Sequence, residues 1–160
     1  MILWFTGQPG SGKTTLCNEI KEKILYSHHY LKDKIIHLDG DDLRDVLDNK
    51  DYSEKGRRKN IQFAINMAKV MENKGYLVLV SLVSPYRDLR IGEIFYLHSE
   101  RDLRQDYHVE NYEPPTENFT EINTDKPIEE CINEILNVYR KMATLARGTS
   151  MVDWTKTKTW

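Results

Sequence analysis

Cysteine is scarce in this chain and unpaired in its spacing. Cys17 and Cys131 stand 114 positions apart and form no CxxC, which disfavours a metal knuckle or a vicinal redox pair. The five histidines, at 28, 29, 37, 98 and 108, are scattered and make no metal-ligating pattern. Long hydrophobic runs are missing too. The first apolar run is only Ile2–Phe5, with no charged stretch before it, so neither a signal peptide nor a membrane span is expected, and the expected location is the cytosol. There is no excess of positive charge: 23 Lys and Arg face 25 Asp and Glu, a net of −2. A duplex nucleic-acid partner is disfavoured on that balance. Internal repeats and low-complexity tracts are absent.

What is present begins at Gly7. The segment Gly7-Gln8-Pro9-Gly10-Ser11-Gly12-Lys13-Thr14 fits G-x-x-x-x-G-K-[ST]. It follows an apolar run and precedes Leu16, Ile20 and Ile24 at helical spacing. Strand, glycine loop and helix are the context that this motif needs. Glycines allow backbone N–H groups to wrap a phosphate, and the helix start adds partial positive charge. Gly7, Gly10, Ser11, Gly12, Lys13, Thr14 and Thr15 are therefore the expected nucleoside triphosphate contacts. Lys13 reaches the β- and γ-phosphates, and the Thr14 hydroxyl ligates Mg²⁺.

The rest of the chain alternates strands with helices. Residues 2–6, Lys34–Leu38, Tyr76–Ser81, Gly92–Leu97 and Phe119–Ile122 read as strands. Helices are expected over Lys13–Tyr26, near Asp42–Leu47, from a Ser53 cap to Asn73 with Gly56 disturbing the first turn, and from Ile128 through Tyr139. The alternation predicts an α/β fold, a P-loop NTPase-type three-layer sandwich with a five-stranded parallel sheet and helices on both faces. Ligands then sit at the carboxyl ends of the strands, where the glycine loop, Asp39–Asp41 and Ser84-Pro85 fall. Residues 1–146 are expected to form one P-loop domain. Residues 100–118, with six acids, two arginines and Pro114-Pro115, read as a lid. Residues 147–160 read as a tail, polar apart from Met151, Val152, Trp154 and Trp160.

Four more segments narrow the class: Leu38-Asp39-Gly40-Asp41-Asp42-Leu43-Arg44; Tyr52-Ser53 with Arg57 and Asn60-Ile61; Ser81-Leu82-Val83-Ser84-Pro85-Tyr86-Arg87; and Tyr112-Glu113-Pro114-Pro115. With the glycine loop they resemble the adenylylsulfate kinase family, whose pattern runs FTGLSGSGKTT, DGDNxR, Phe-Ser with RxxNI, SxxSPYR and YExP. The match holds from Phe5 to about Arg90 and loosely from Tyr112 to Thr124. Three places differ. Gln62-Phe63 replaces an arginine pair, Leu97-His98-Ser99 replaces VDAP, and Arg101-Asp102-Leu103-Arg104 stands for the lid motif RDxKGLY.

The resemblance implies transfer of the ATP γ-phosphoryl group to the ribose 3′-hydroxyl of adenylyl sulfate, with ATP and Mg²⁺ as cofactors. Lys13, Asp39, Asp41 and Ser84 are the implied catalytic residues. Asp39, with Thr14, would hold Mg²⁺, and Asp41 would orient the hydroxyl; an Asp N-cap in the same turn is compatible with both. Acceptor contacts would come from Asp41, Arg44, Tyr52, Arg57, Asn60, Ile61, Ser84 and Pro85. Tyr52 stands in the family's phenylalanine position and can still stack on a base. For Ser84 the resemblance leaves a phosphorylated intermediate or a hydrogen-bond donor. No strong base adjoins it in the sequence, which favours the donor. Arg101 or Arg104 is the expected lid cation, with Arg101 on the ATP side. A homodimer is the expected assembly. Two alternatives stay open: a kinase for another nucleotide anhydride such as cytidine diphosphoramidate, and a module that binds ATP without turnover. The intact Lys13, Thr14, Asp39 and Asp41 argue against the second.

Overall fold

The computed structural model describes residues 1–101 and 107–148. Its strands are β1 (Ile2–Thr6), β2 (Ile35–Asp39), β3 (Leu77–Ser81), β4 (Glu93–His98) and β5 (Phe119–Asn123). Its α-helices are α1 (Lys13–Ser27), α2 (Gly40–Val46), α3 (Glu54–Asn73) and α4 (Ile128–Gly148). All strand pairs are parallel, in the order β2-β3-β1-β4-β5.

The period-two alternation of strand side chains builds both faces of the sheet. Leu3, Phe5, Leu77, Leu79, Phe95 and Leu97 pack against Leu16, Ile20 and Ile24 of α1 and Ile132 and Ile135 of α4. Ile2, Trp4, Val78 and Val80 face the other way, onto Leu43 of α2 and Ile61, Ala64, Ile65 and Ala68 of α3. The five-stranded three-layer sandwich expected from the alternation is thus the fold. Its centre is β1, buried at every position, where Phe5 stacks on Phe95 with ring centroids 5.0 Å apart. Truncating either ring to alanine should cost about 3–5 kcal/mol. No helix among the described residues is long and apolar enough to cross a membrane.

Two local expectations change. Gly56 does not weaken the start of α3. Ser53 Oγ accepts from Gly56 N at 3.3 Å, and a Cβ at Gly56 would lie 2.2 Å from the Asp51 carbonyl oxygen. The glycine is what lets the preceding loop fold onto the cap. At the other end, α4 runs on to Gly148 and takes in the first two positions of the expected tail. Trp154 and Trp160 lie outside the described residues.

From β1 the chain runs to β2 and β3 on one side and then crosses to β4 and β5 on the other. That switch point opens a crevice at the carboxyl ends of the strands.

Candidate active site

The glycine loop leaves β1 at this crevice and enters α1 through Gly12. Gly10 and Gly12 have φ of 86° and 87°, a region that favours glycine. A Cβ on Gly7 would come 2.2 Å from the Leu97 carbonyl oxygen, so β4 packs directly on the loop. No side chain caps α1, which leaves its first N–H groups to an anion. The Lys13 ammonium donates to the carbonyls of Gly7 at 3.0 Å and Gln8 at 2.8 Å, and to Ser11 Oγ at 3.3 Å. These bonds hold the cation over the loop.

Asp39 ends β2 and does two jobs at once. Its Oδ1 accepts from Asp41 N at 3.0 Å, capping α2. Its Oδ2 accepts from Thr14 Oγ1 at 2.7 Å and Ser81 Oγ at 2.6 Å. Burial acts to raise the Asp39 pKa, but the hydrogen bonds from Ser81, Thr14 and Asp41 outweigh it and hold the carboxyl below its ordinary value. The pair of hard oxygens from Thr14 and Asp39, beside a phosphate-binding loop, is a donor set that fits Mg²⁺. Ser81 also meets His37, whose Nε2 lies 2.8 Å from Ser81 Oγ. Burial, working against the nearby Asp39 carboxylate, pushes the His37 pKa down.

A cleft of about 720 Å³ opens beside this cluster. Gly10, Lys13, Thr14, Asp39 and Asp41 form one wall, and Arg44, Tyr52, Arg57, Asn60 and Ile61 form another, with Ser84 and Pro85 alongside. The Arg44 guanidinium stacks over the Tyr52 ring at 4.3 Å, and Arg57 lies 5.8 Å from the same ring. Arg57 Nε donates to the Tyr52 carbonyl at 2.8 Å, and Arg44 Nη1 donates to the carbonyls of Asn49 and Asp51. Both cations are thereby pre-oriented around one aromatic ring. Asn60 Oδ1 and Ser84 Oγ are buried with no hydrogen-bond partner among the described residues. Two such polar groups in a cleft wall call for a polar ligand, since an unpaired buried group costs about 1–3 kcal/mol. Among the described residues Ser84 Oγ hydrogen-bonds to no base that could activate it as a nucleophile.

A second, smaller cleft lies on the far side of the loop. Gly10, Ser11, Gly12 and Thr15 line it together with Arg101, Thr124 and Lys126. Arg101 is fixed there: its Nε donates to Asp125 Oδ1 at 2.7 Å and its Nη2 to the Thr124 carbonyl. Asp125, held mainly by hydrogen bonds from Ser99 and the Glu100 N–H, has its pKa lowered to about 2. Arg104 lies outside the described residues.

Several contributors were not singled out from the sequence. Ser84 adopts φ +43°, a strained value for a residue with a side chain. Its carbonyl is held by the buried Arg90, whose Nε donates at 3.0 Å. Arg90 also reaches the Glu113 carbonyl and stacks on Tyr112 at 5.1 Å. Thr6 Oγ1 donates to the Val83 carbonyl at 2.7 Å, so its bond of 2.9 Å with Tyr112 has the phenol as donor. Burial pushes that phenol up to about 12, and it keeps its proton. The second half of the expected lid is therefore strapped to the Ser84-Pro85 segment. Tyr107 and His108 sit at the rim of the larger cleft. The YExP and SPYR segments carried the signal for this strap; nothing local marked Arg90.

Comparison with known proteins places the chain in a family. The bifunctional enzyme NodQ of Rhizobium meliloti (strain 1021) is 38% identical over 135 residues, 81% of this chain and 17% of NodQ. An adenylyl-sulfate kinase of Oceanobacillus iheyensis is 38% identical over 112 residues, 69% of this chain and 51% of that protein. The chain thus spans about half the length of one of these curated relatives and less than a fifth of the other. Among solved structures, the Mycobacterium tuberculosis APS kinase CysC in complex with AMPPNP and APS superposes with a TM-score of 0.73 at 23% identity, covering 87% of this chain and 96% of that one. The family model for adenylylsulphate kinase matches residues 1–144, and the chain belongs to that family.

Proposed function

We propose that this chain is an ATP-dependent phosphotransferase that moves the γ-phosphoryl group of ATP onto the ribose 3′-hydroxyl of adenylyl sulfate, giving 3′-phosphoadenylyl sulfate. The observation that carries the reading is the pair of clefts on opposite sides of one phosphate loop, sharing Gly10. Phosphoryl transfer needs donor and acceptor in line across the moving group, and catalysis is mostly positioning and charge cancellation. Two clefts that meet at the loop suit that demand. The kinship with adenylyl-sulfate kinases and the fold shared with a kinase solved with AMPPNP and APS point to the same chemistry.

In this reading Gly7, Gly10, Ser11, Gly12, Lys13, Thr14 and Thr15 bind the ATP phosphates, and Arg101 flanks the nucleotide. Thr14 and Asp39 would hold Mg²⁺, which would supply positive charge to offset the negative charge of the phosphates. Asp41 orients the acceptor hydroxyl. As its oxygen bonds to the γ-phosphorus, the bond to the bridging oxygen of ADP breaks, and the hydroxyl proton leaves towards Asp41 or solvent. Arg44 and Arg57 bind the anionic end of the acceptor by charge-assisted hydrogen bonds. Tyr52 and Ile61 offer the base a stacking surface, and Asn60, Ser84 and Pro85 contact the rest. The reading includes residues 1–146 as one kinase domain, a lid over 100–118, a cytoplasmic location where ATP is supplied, and a homodimer.

The test is a substrate screen with purified protein and MgATP. Radiolabelled phosphoryl transfer to adenylyl sulfate is expected. Transfer to cytidine diphosphoramidate or another nucleotide anhydride, with none to adenylyl sulfate, overturns the acceptor. ATP binding with no transfer to any of them overturns the kinase reading. Sedimentation checks the dimer.

A further inference from the structure

His37 joins the site through a chain of side chains that crosses three elements. Asp39 and Ser81 are register partners on β2 and β3, and so are His37 and Leu79. His37 precedes Asp39 by two residues, so both side chains project from the same sheet face. That face carries α1, where Thr14 and Asn18 are four residues apart. The spacings match: four helical residues rise about 6 Å and two strand residues about 6.6 Å. Thr14 thereby meets Asp39 at 2.7 Å, and Asn18 meets His37 with 3.2 Å between Oδ1 and Nδ1. Ser81 closes the rectangle, 2.6 Å from Asp39 Oδ2 and 2.8 Å from His37 Nε2.

The direction of each hydrogen bond follows from counting protons. Asp39 accepts only, so the single Ser81 hydroxyl proton goes to Oδ2. His37 Nε2 must then be the donor to Ser81 Oγ, and the neutral ring accepts at Nδ1, which requires the Asn18 amide to be turned so that its NH₂ rather than its oxygen faces the ring. Without that donor the Ser81 hydroxyl can rotate away, and Asp39 Oδ2 loses one of its two side-chain partners. The order His–Ser–Asp also excludes a nucleophilic triad, because there the imidazole stands between serine and carboxylate. Here the serine is central, buried, and points its proton at the carboxylate.

We propose that His37 is a positioning residue for the metal-holding pair: through Ser81 it fixes the Asp39 carboxylate in the rotamer that faces Thr14. The inference rests on the reading of Thr14 and Asp39 as the Mg²⁺ ligands, and not on the identity of the acceptor. Outer partners of this kind orient the groups that touch the ion.

The experiment compares wild type, His37→Leu, His37→Gln, Ser81→Ala and the His37→Leu/Ser81→Ala double variant. Leucine keeps the half-buried strand position filled but removes the donor, whereas the glutamine amide can donate again. Calorimetry measures binding of AMPPNP, a non-hydrolysable ATP analogue, in excess Mg²⁺ and in EDTA. In Mg²⁺ we expect His37→Leu to weaken binding about three- to tenfold, the effect of one net hydrogen bond. In EDTA its affinity should equal wild type. Glutamine should restore most of the Mg²⁺-dependent loss, and the double variant should bind no worse than Ser81→Ala, as acting through one partner requires. Equal losses with and without Mg²⁺, no loss at all, or additive losses in the double variant would each overturn the proposal. So would wild-type affinity that is indifferent to Mg²⁺, which also removes the metal reading. Failure of wild type to phosphorylate adenylyl sulfate, with these binding results as expected, would strike the acceptor assignment alone. Should the leucine variant lose its thermal transition, His37→Ala takes its place in the same comparison.

Discussion

Gln8 and Val109 hold each other by two reciprocal hydrogen bonds. The Gln8 amide donates to the Val109 carbonyl at 3.0 Å, and the Val109 N–H donates to Gln8 Oε1 at 3.0 Å. One residue lies in the phosphate loop and the other in the segment proposed as the lid. The amide thus imitates a strand partner and ties that segment to the loop.

Gln8→Ala should therefore loosen the cover. Lids exclude water from a transferring phosphoryl group, so acceptor-independent ATP hydrolysis should rise about three- to tenfold relative to transfer, the scale of one or two net hydrogen bonds. The ratio of phosphate release without acceptor to product formation with it checks this. An unchanged ratio would make the pair a mere connector.

Lys13→Ala should lower kcat by at least about a hundredfold, the scale for removing one preorganised charge from a transition state. The thermal midpoint should move little, because Lys13 begins a helix and alanine suits that position. Steady-state transfer and a melting curve on one preparation decide it. Near-normal turnover would sink the phosphate-loop assignment.

The two acids should separate. Asp39→Asn removes the charge that faces Thr14 and turns an acceptor into a donor opposite the Ser81 hydroxyl. It should lower kcat and raise the Mg²⁺ concentration needed for half-maximal rate. Asp41→Asn should lower kcat at an unchanged Mg²⁺ requirement. Mg²⁺ titrations of both variants test the division; identical curves would refute it.

Arg57→Ala should raise the acceptor KM about 10- to 150-fold, equivalent to roughly 1.5–3 kcal/mol for a charge-assisted hydrogen bond, with the KM for ATP nearly unchanged. An equal loss for both substrates would place Arg57 on the wrong side of the loop.

Asp125 gives a pH signature. Its folded-state pKa of about 2 lies below the ordinary 3.8. The carboxylate's hydrogen bonds therefore contribute stability at pH above about 4, and the contribution is lost as the pH falls towards 2. The difference in thermal midpoint between wild type and Asp125→Asn should be full at pH 6 and shrink steadily below pH 4. Because Asp125 also anchors Arg101 beside the smaller cleft, the variant should bind ATP more weakly at pH 7. A midpoint difference that ignores pH would count against the charged pairing.

The sequence by itself determined the sheet, the helices and the phosphate loop. Those features depend on near neighbours: apolar runs such as Ile2–Phe5 and Leu77–Val80, the four-residue spacing of Leu16, Ile20 and Ile24, and the positive-φ glycines Gly10 and Gly12 of the phosphate loop. It also named most of the residues that the structure gathers around the larger cleft, because they arrived inside short motifs at strand ends or at the start of α3. Only the tertiary structure decided how they are held. Gln8 meets Val109 across 101 positions, Thr6 meets Tyr112 across 106 and Ser81 meets Asp39 across 42. His37 looked like one more scattered histidine, because its role depends on the register of β2 against β3 and on the pitch of α1. A hydrogen bond is specified by distance and direction in space. Sequence spacing encodes these within a turn of helix or a pleat of strand, and beyond that range only packing sets them.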